Sequence, residues 1–172
     1  MANLMILTAD ELKTLNPLER QAARRAAREQ PLVRLILKTF LERGGPIRVE
    51  DIIAASPDHA PAFHDALIAL DDDDLIRVRA GQIDIAYPFS GTPTPFRLSL
   101  SGGRDRYACC ATDALGIAPM VGEPIEITSA CHHCGEPLKF GATPHGVGRD
   151  AEGVMVWVGK RGDEGCKAFD SL

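Results

Sequence analysis

A cysteine and an aspartate three residues apart are the chemically most suggestive feature of the sequence. They are Cys110 and Asp113, in the stretch YACCATDAL. On a helix, side chains three apart emerge on one face, so the thiol and the carboxyl group can meet. The neighbouring Cys109 points elsewhere and is expected to be a small buried hydrophobic residue. Free cysteines are commonly buried, so the spacing alone leaves a purely structural role open for Cys110 as well.

A second pair of thiols lies in the segment CHHCGEPL. Cys131 and Cys134 are separated by two residues and followed by glycine, which is half of a zinc-ribbon-like site. A closed tetrahedral site needs four ligands, and neither Cys166 nor the histidines have the spacing of a second pair. Three interpretations therefore stay open: a weak or structural metal site that would hold zinc, a redox pair, or an exposed turn.

Composition sets the broad class of protein. The 172 residues are 45% hydrophobic and 25% charged, which predicts a globular fold. We find no basic leader before an apolar stretch and no run of the ~20 apolar residues that a bilayer span requires. We therefore expect a cytoplasmic protein with no membrane partner. In that reducing compartment, the five cysteines favour ligands or nucleophiles over disulfides.

The N-terminal half has the pattern of a winged helix. Helix formers over residues 18–29 precede a second helical run, which has Leu32, Ile36 and Phe40 on one face and stops at Gly44. The stretch VEDIIAAS and the run after SPD predict two further helices. The alternating segment LIRVRAGQIDIAY predicts a β-hairpin. This order of helices and hairpin is typical of DNA-binding modules.

Charge argues against nucleic acid as a partner of this module. The net charge is −5, and four consecutive aspartates, residues 71–74, follow the helix that would enter the groove. A duplex carries about one negative charge per 1.7 Å of its axis and would be repelled. We therefore expect an interaction or packing scaffold. A salt-dependent shift with duplex DNA would be needed to favour a DNA-binding regulator.

The combined pattern resembles the alkylmercury lyase family. Members of that family carry Y-A-x-C-A-x-D-x-L where this chain has YACCATDAL, between a winged-helix pattern and the strand EPIEITSAC. The resemblance runs from about Leu32 to about Trp157. It implies an α+β fold with a winged-helix-like module that does not read DNA, followed by a small mixed-sheet domain of the alkylmercury lyase type. The Pro- and Gly-rich linker PFSGTPTPFRLSLSGGRD places these domains at residues 1–90 and 96–172.

The resemblance also implies an activity. An organomercurial lyase binds mercury or an organomercurial through thiolates and protonolyses the carbon–mercury bond. It requires no cofactor, mercury is its substrate or product ion, and small thiols are its partners. By matching positions, Cys110 would be a mercury ligand and Asp113 the proton carrier. Exposed aspartates are ionised at neutral pH, so this role requires burial or a nearby thiolate to raise the pKa of Asp113.

The sequence departs from the family at its second thiolate ligand, which follows a later strand. Residues 153–158 are expected to form that strand, with Trp157 in the core, and Cys166 is the candidate ligand by order. The aromatic-rich segment that follows the cysteine in the family is missing. Cys131 matches a cysteine regarded as structural, whereas Cys134 is an addition. The alternative function is a non-enzymatic metal-binding or regulatory protein that uses the CHHC turn for zinc and the winged helix for a partner.

Overall fold

A computed structural model describes Ala26, residues 30–55 and residues 60–157. None of the helices in these ranges has the length and apolar character needed to cross a membrane. The described helices are α1 (Pro31–Arg43), α2 (Val49–Ala54), α3 (Ala60–Asp72) and α4 (Ala111–Val121). The described strands are β1 (Ile47–Arg48), β2 (Ile76–Arg79), β3 (Gln82–Ala86), β4 (Phe89–Ser90), β5 (Arg97–Leu100), β6 (Arg104–Ala108), β7 (Ile125–Ala130), β8 (Pro137–Thr143) and β9 (Gly146–Val147).

Helix α1 follows the predicted apolar spacing. Pro31 begins it, where the missing N–H would have no partner within the helix, and Gly44 ends it with a φ of +64°. Its buried face carries Leu32, Val33, Ile36 and Phe40. The helix predicted over residues 18–29 lies outside the described residues except for Ala26, which is helical.

The hairpin predicted after α3 is confirmed as β2 and β3. Ala80 and Gly81 connect the strands with φ values of 48° and 74°, the paired left-handed conformation that suits a two-residue hairpin turn. Gln82 is the first residue of β3. Helices α2 and α3 occupy the other two helical stretches, although residues 56–59 lie outside the described ranges. The winged-helix interpretation itself stays a prediction.

Within the described residues, the strands form one antiparallel sheet. Its order is β1-β3-β4-β6-β5-β7-β8-β9, with β2 also paired to β3. The α+β class is confirmed, but the expectation of a mixed sheet is wrong because every recorded pair is antiparallel. Parallel neighbouring strands require a long crossover connection. Helix α4 makes such a connection between β6 and β7, but these two strands are not neighbours, because β5 lies between them. The division at residues 1–90 and 96–172 stays a prediction.

Two expectations near the end of the described residues are wrong. Residues 154–157 do not form a strand, because the β8–β9 ladder ends at Val147 and Gly153 bends the chain with a φ of 81°. The side chain of Trp157 is 66% exposed and is therefore not part of the core. The strand expected through EPIEITSAC is confirmed as β7, and the end of the predicted linker forms β5.

A buried arginine joins the sheet to the C-terminal end of α1. Arg106, on β6, is 9% exposed. Its guanidinium donates to the carbonyls of Phe40 at 2.8 Å, Leu41 at 2.6 Å and Glu42 at 2.7 Å. These carbonyls lie in the last turn of the helix, where that of Phe40 also accepts the capping N–H of Gly44 at 2.9 Å. The positive charge of Arg106 also complements the negative end of the helix dipole. Gly44 leaves room for the contact, since a Cβ there would lie 3.2 Å from Arg106 Nη1.

Replacing Arg106 with methionine is expected to destabilise the protein by about 2–4 kcal/mol, because three carbonyls lose a charged donor. Urea unfolding measures this as a lower midpoint at an unchanged slope. Arg104→Met is the matched control. The Arg104 guanidinium pairs with Glu123 at 3.1 Å, and both side chains are partly exposed. Loss of this ion pair is therefore expected to lower the free energy of unfolding by less than about 1 kcal/mol. Equal midpoint shifts in the two variants would contradict the role assigned to Arg106.

Candidate active site

The end of β6 is held by the segment that precedes β5. The hydroxyl group of Thr94 donates to the carbonyl of Ala108 at 2.6 Å. The N–H of Cys109 donates to the carbonyl of Pro88 at 3.0 Å. The Cys109 side chain is 4% exposed, which confirms the prediction of a small buried residue. These contacts fix the backbone immediately before Cys110, where the chain turns from strand to helix.

Cys110 is the N-cap of α4, not a residue within the helix as the spacing argument assumed. Its backbone is extended, with φ −150° and ψ 177°, and its carbonyl accepts from the N–H of Ala114 at 2.9 Å. The sulfur takes the position of an N-cap acceptor, receiving the backbone N–H of Asp113 at 3.4 Å. In turn the thiol donates to Asp113 Oδ2 at 3.1 Å. The thiol and carboxyl group therefore meet, through helix capping.

The surroundings favour a protonated sulfur. Burial raises the pKa of Cys110 to about 11, and the charge of Asp113 and the thiol-to-carboxylate hydrogen bond also raise it. The backbone N–H groups of Asp113 and Thr112 act in the opposite direction. Burial and the Asp113 charge likewise raise the pKa of Cys109. The raised pKa keeps the shared proton on the Cys110 sulfur, from which it is donated to Asp113.

This arrangement suits a soft electrophile. Once a metal binds the sulfur, the thiol must release its proton, and the nearest acceptor described is Asp113 Oδ2 at 3.1 Å. The carboxyl group then holds a proton close to the metal-bound ligand. Its place in the first turn of α4 also puts the carboxylate at the positive end of the helix dipole. The site can therefore bind a soft metal and store one proton beside it.

The other candidate thiols lie elsewhere. Cys131 and Cys134 are in the turn between β7 and β8, and Cys166 lies outside the described residues. Across the described ranges, no three His, Cys, Asp or Glu side chains are grouped to hold a metal ion. The expectation of zinc at Cys131 and Cys134 is therefore not supported.

Comparison with known proteins identifies the family of the C-terminal half. Residues 89–172, which include Cys110 and Asp113, match the family model described as alkylmercury lyase. Residues 89–172 belong to the alkylmercury lyase family. The alkylmercury lyase of Staphylococcus epidermidis is 31% identical over 116 residues, which are 67% of this chain and 51% of that protein. The alkylmercury lyase of Streptomyces lividans is 29% identical over 125 residues, or 71% of this chain and 55% of that protein.

This chain spans about half the length of the curated alkylmercury lyases it matches. A solved structure supports the likeness in fold. The mercury-bound form of MerB2 matches with a TM-score of 0.60 and 19% sequence identity. The match covers 77% of this chain and 67% of that one. At this identity the comparison shows a shared fold alone.

Sequence reasoning missed how the site is built. Cys110 stands directly before a helix and three residues before an acidic side chain, which is a capping-box-like pattern with sulfur in place of a hydroxyl group. That signal was available in the sequence. The contributions of Pro88 and Thr94 had no comparable signal, because they depend on how the linker passes over the end of β6.

Asp113→Asn is expected to make Cys110 more reactive toward iodoacetamide at pH 8. Removing the negative charge lowers the cost of the thiolate, so the pKa of Cys110 falls from about 11 toward its ordinary value. Each unit of that fall increases the alkylation rate roughly three- to fourfold, since the gain in thiolate is partly offset by weaker nucleophilicity. Peptide-resolved mass spectrometry measures the rate. Thr112→Ala serves as the control, and a slower reaction in Asp113→Asn than in this control would contradict the assigned electrostatics.

Proposed function

We propose that this protein is an organomercurial lyase that binds its substrate through Cys110 and protonolyses the carbon–mercury bond with the proton held by Asp113. The observation that supports this most is the 3.1 Å hydrogen bond from the Cys110 thiol to Asp113 Oδ2. It provides a soft ligand and a proton store in adjacent positions. Family membership of residues 89–172 and the relatives named alkylmercury lyase favour the same chemistry.

In the first step, the organomercurial exchanges a weaker ligand for the Cys110 sulfur. The sulfur–hydrogen bond breaks as the sulfur–mercury bond forms, and the proton moves to Asp113 Oδ2. This order makes use of the raised thiol pKa, because the proton is still on sulfur when the substrate arrives. This transfer also explains how Asp113 becomes protonated before it acts as an acid.

In the second step, another thiolate binds the mercury and increases electron density on the carbon. The carbon–mercury bond breaks, its electron pair takes the proton from Asp113, and the hydrocarbon leaves. Of the two thiol protons, one is then in the hydrocarbon and the other has gone to solvent, while mercury remains as a dithiolate. Thiolates suit this soft cation, and no cofactor is needed.

We assign the second thiolate to Cys166 by its order in the chain. The described alternatives are less suitable, because Cys109 is buried and Cys131 and Cys134 belong to a separate turn. A small thiol from solution would then remove the mercury ion by ligand exchange. Both cysteines must stay reduced, which favours a reducing compartment such as the cytoplasm.

The direct test is incubation of the full chain with phenylmercury and an excess of a small thiol, with benzene measured by gas chromatography. The unaltered protein should release benzene catalytically. Cys110→Ser removes the soft ligand, and Asp113→Asn keeps the shape of the side chain but removes the proton store. Each is expected to lower the turnover rate at least ~100-fold, the usual scale for loss of a general acid.

Asp105→Asn is the control for Asp113→Asn, because Asp105 is an exposed carboxylate on β6 that pairs with Arg97 and Ser99. It should retain the activity of the unaltered protein. Cys166→Ser is expected to lower turnover when the external thiol is limiting and to recover in part when that thiol is in excess. Unchanged turnover in Cys110→Ser or Asp113→Asn would remove that residue from the mechanism, and unchanged turnover in Cys166→Ser at limiting thiol would remove Cys166.

A further inference from the structure

The CHHC turn between β7 and β8 is closed by backbone hydrogen bonds at both ends. The N–H of Cys131 donates to the carbonyl of Glu136 at 2.8 Å, which continues the β7–β8 ladder by one further contact. The N–H of Gly135 donates to the carbonyl of Cys131 at 2.8 Å. Gly135 has a φ of +74°, a left-handed conformation that favours glycine. The two cysteines are therefore presented by a folded loop.

The two cysteines occupy the first and fourth positions of this closed turn. Cys131 is partly exposed and Cys134 is exposed, which makes both sulfur atoms accessible from solvent.

Two thiols in one short turn limit the kind of ion that they can hold. Zinc needs four ligands in a structural site, whereas no cluster of three His, Cys, Asp or Glu side chains occurs in the described ranges. Soft d10 cations that accept two thiolates, such as Hg(II) and Cu(I), have no such requirement. We infer that Cys131 and Cys134 bind one soft two-coordinate cation as a dithiolate, at a site separate from the Cys110 and Asp113 pair.

The CHHC turn and the Cys110–Asp113 pair follow the same end of two strands of the sheet. Both β6 and β7 are antiparallel to β5, so they point in one direction, and Arg97 pairs with Tyr107 on one side and Thr128 on the other. Cys110 and Cys131 each follow three residues after that row. Tyr107 and Thr128 are two strand spacings apart, which is about 10 Å. The Hg(II) left by carbon–mercury cleavage is an ion of the same class. The inference that this turn captures that product rests on the proposed function, whereas the inference of a metal site at the turn does not.

Capture would be a ligand exchange with no oxidation or reduction. Two sulfur–mercury bonds to the previous thiolates break, two form to Cys131 and Cys134, and the protons of the incoming thiols pass to the departing ones. A chelating pair competes well against separate monothiols, because its second bond forms within one molecule. Both cysteines are thus required for tight binding.

The test uses the full chain carrying Cys110→Ser and Cys166→Ser, so that binding is measured without the proposed lyase site. One equivalent of Hg(II) is added with an excess of a small monothiol, and the mercury retained after gel filtration is quantified. The protein should keep about one equivalent. Adding Cys131→Ser or Cys134→Ser singly should lower retention at least tenfold, because either change removes chelation.

A paired His132→Ala and His133→Ala variant in the same background separates a dithiolate from a larger ligand set. Both histidines are exposed, and retention should match that of the background protein. Loss of mercury in this variant would contradict a two-coordinate site, as would retention that survives either cysteine change. Failure of the background protein to keep any mercury would also overturn the inference. Unchanged urea midpoints would show that all variants remain folded, and none of these results depends on lyase activity.

Discussion

The chemistry of this fold depends on one hydrogen bond between a thiol and a carboxylate at the start of a helix. The Cys110 sulfur donates to the Asp113 side chain and accepts its backbone N–H, so one aspartate positions the sulfur in two ways. Both contacts require an extended residue followed at once by helix, which is the geometry of an N-cap. A feature that usually stabilises a helix end here brings a soft ligand and a proton acceptor together.

Strand β6 connects this junction to the rest of the molecule. Arg106 holds the end of α1, and four residues later Cys110 caps α4, a separation of roughly 13 Å along an extended chain. The buried residues of the N-terminal helices and of the sheet belong to one hydrophobic cluster, in which the Phe40 and Phe89 rings stack with centroids 6.3 Å apart. The helical half is therefore part of the support for the site.

The periodicity of the sequence predicted the local helices and strands, but it could not predict long-range contacts. The apolar face of α1 and the alternation in β2 and β3 are local patterns, so they could be read directly. The burial of Arg106 depends on where β6 meets a helix 66 residues earlier, which no local pattern encodes. Trp157 is expected in the core, but within the described residues the sheet ends before it. The Cys110 and Asp113 contact was predictable from spacing, whereas its capping geometry needed the strand-to-helix junction.

The most direct test of the account is the infrared S–H stretching band of Cys110. Subtracting the spectrum of Cys110→Ser from that of the unaltered protein isolates this band, and the same subtraction can be made in an Asp113→Ala background. A thiol that donates to the Asp113 carboxylate should give a band shifted to lower frequency, and Asp113→Ala should move it toward the value of an unbonded thiol. A band at the same frequency in both backgrounds would show that the thiol and carboxylate do not interact, and the proposed proton transfer would fail.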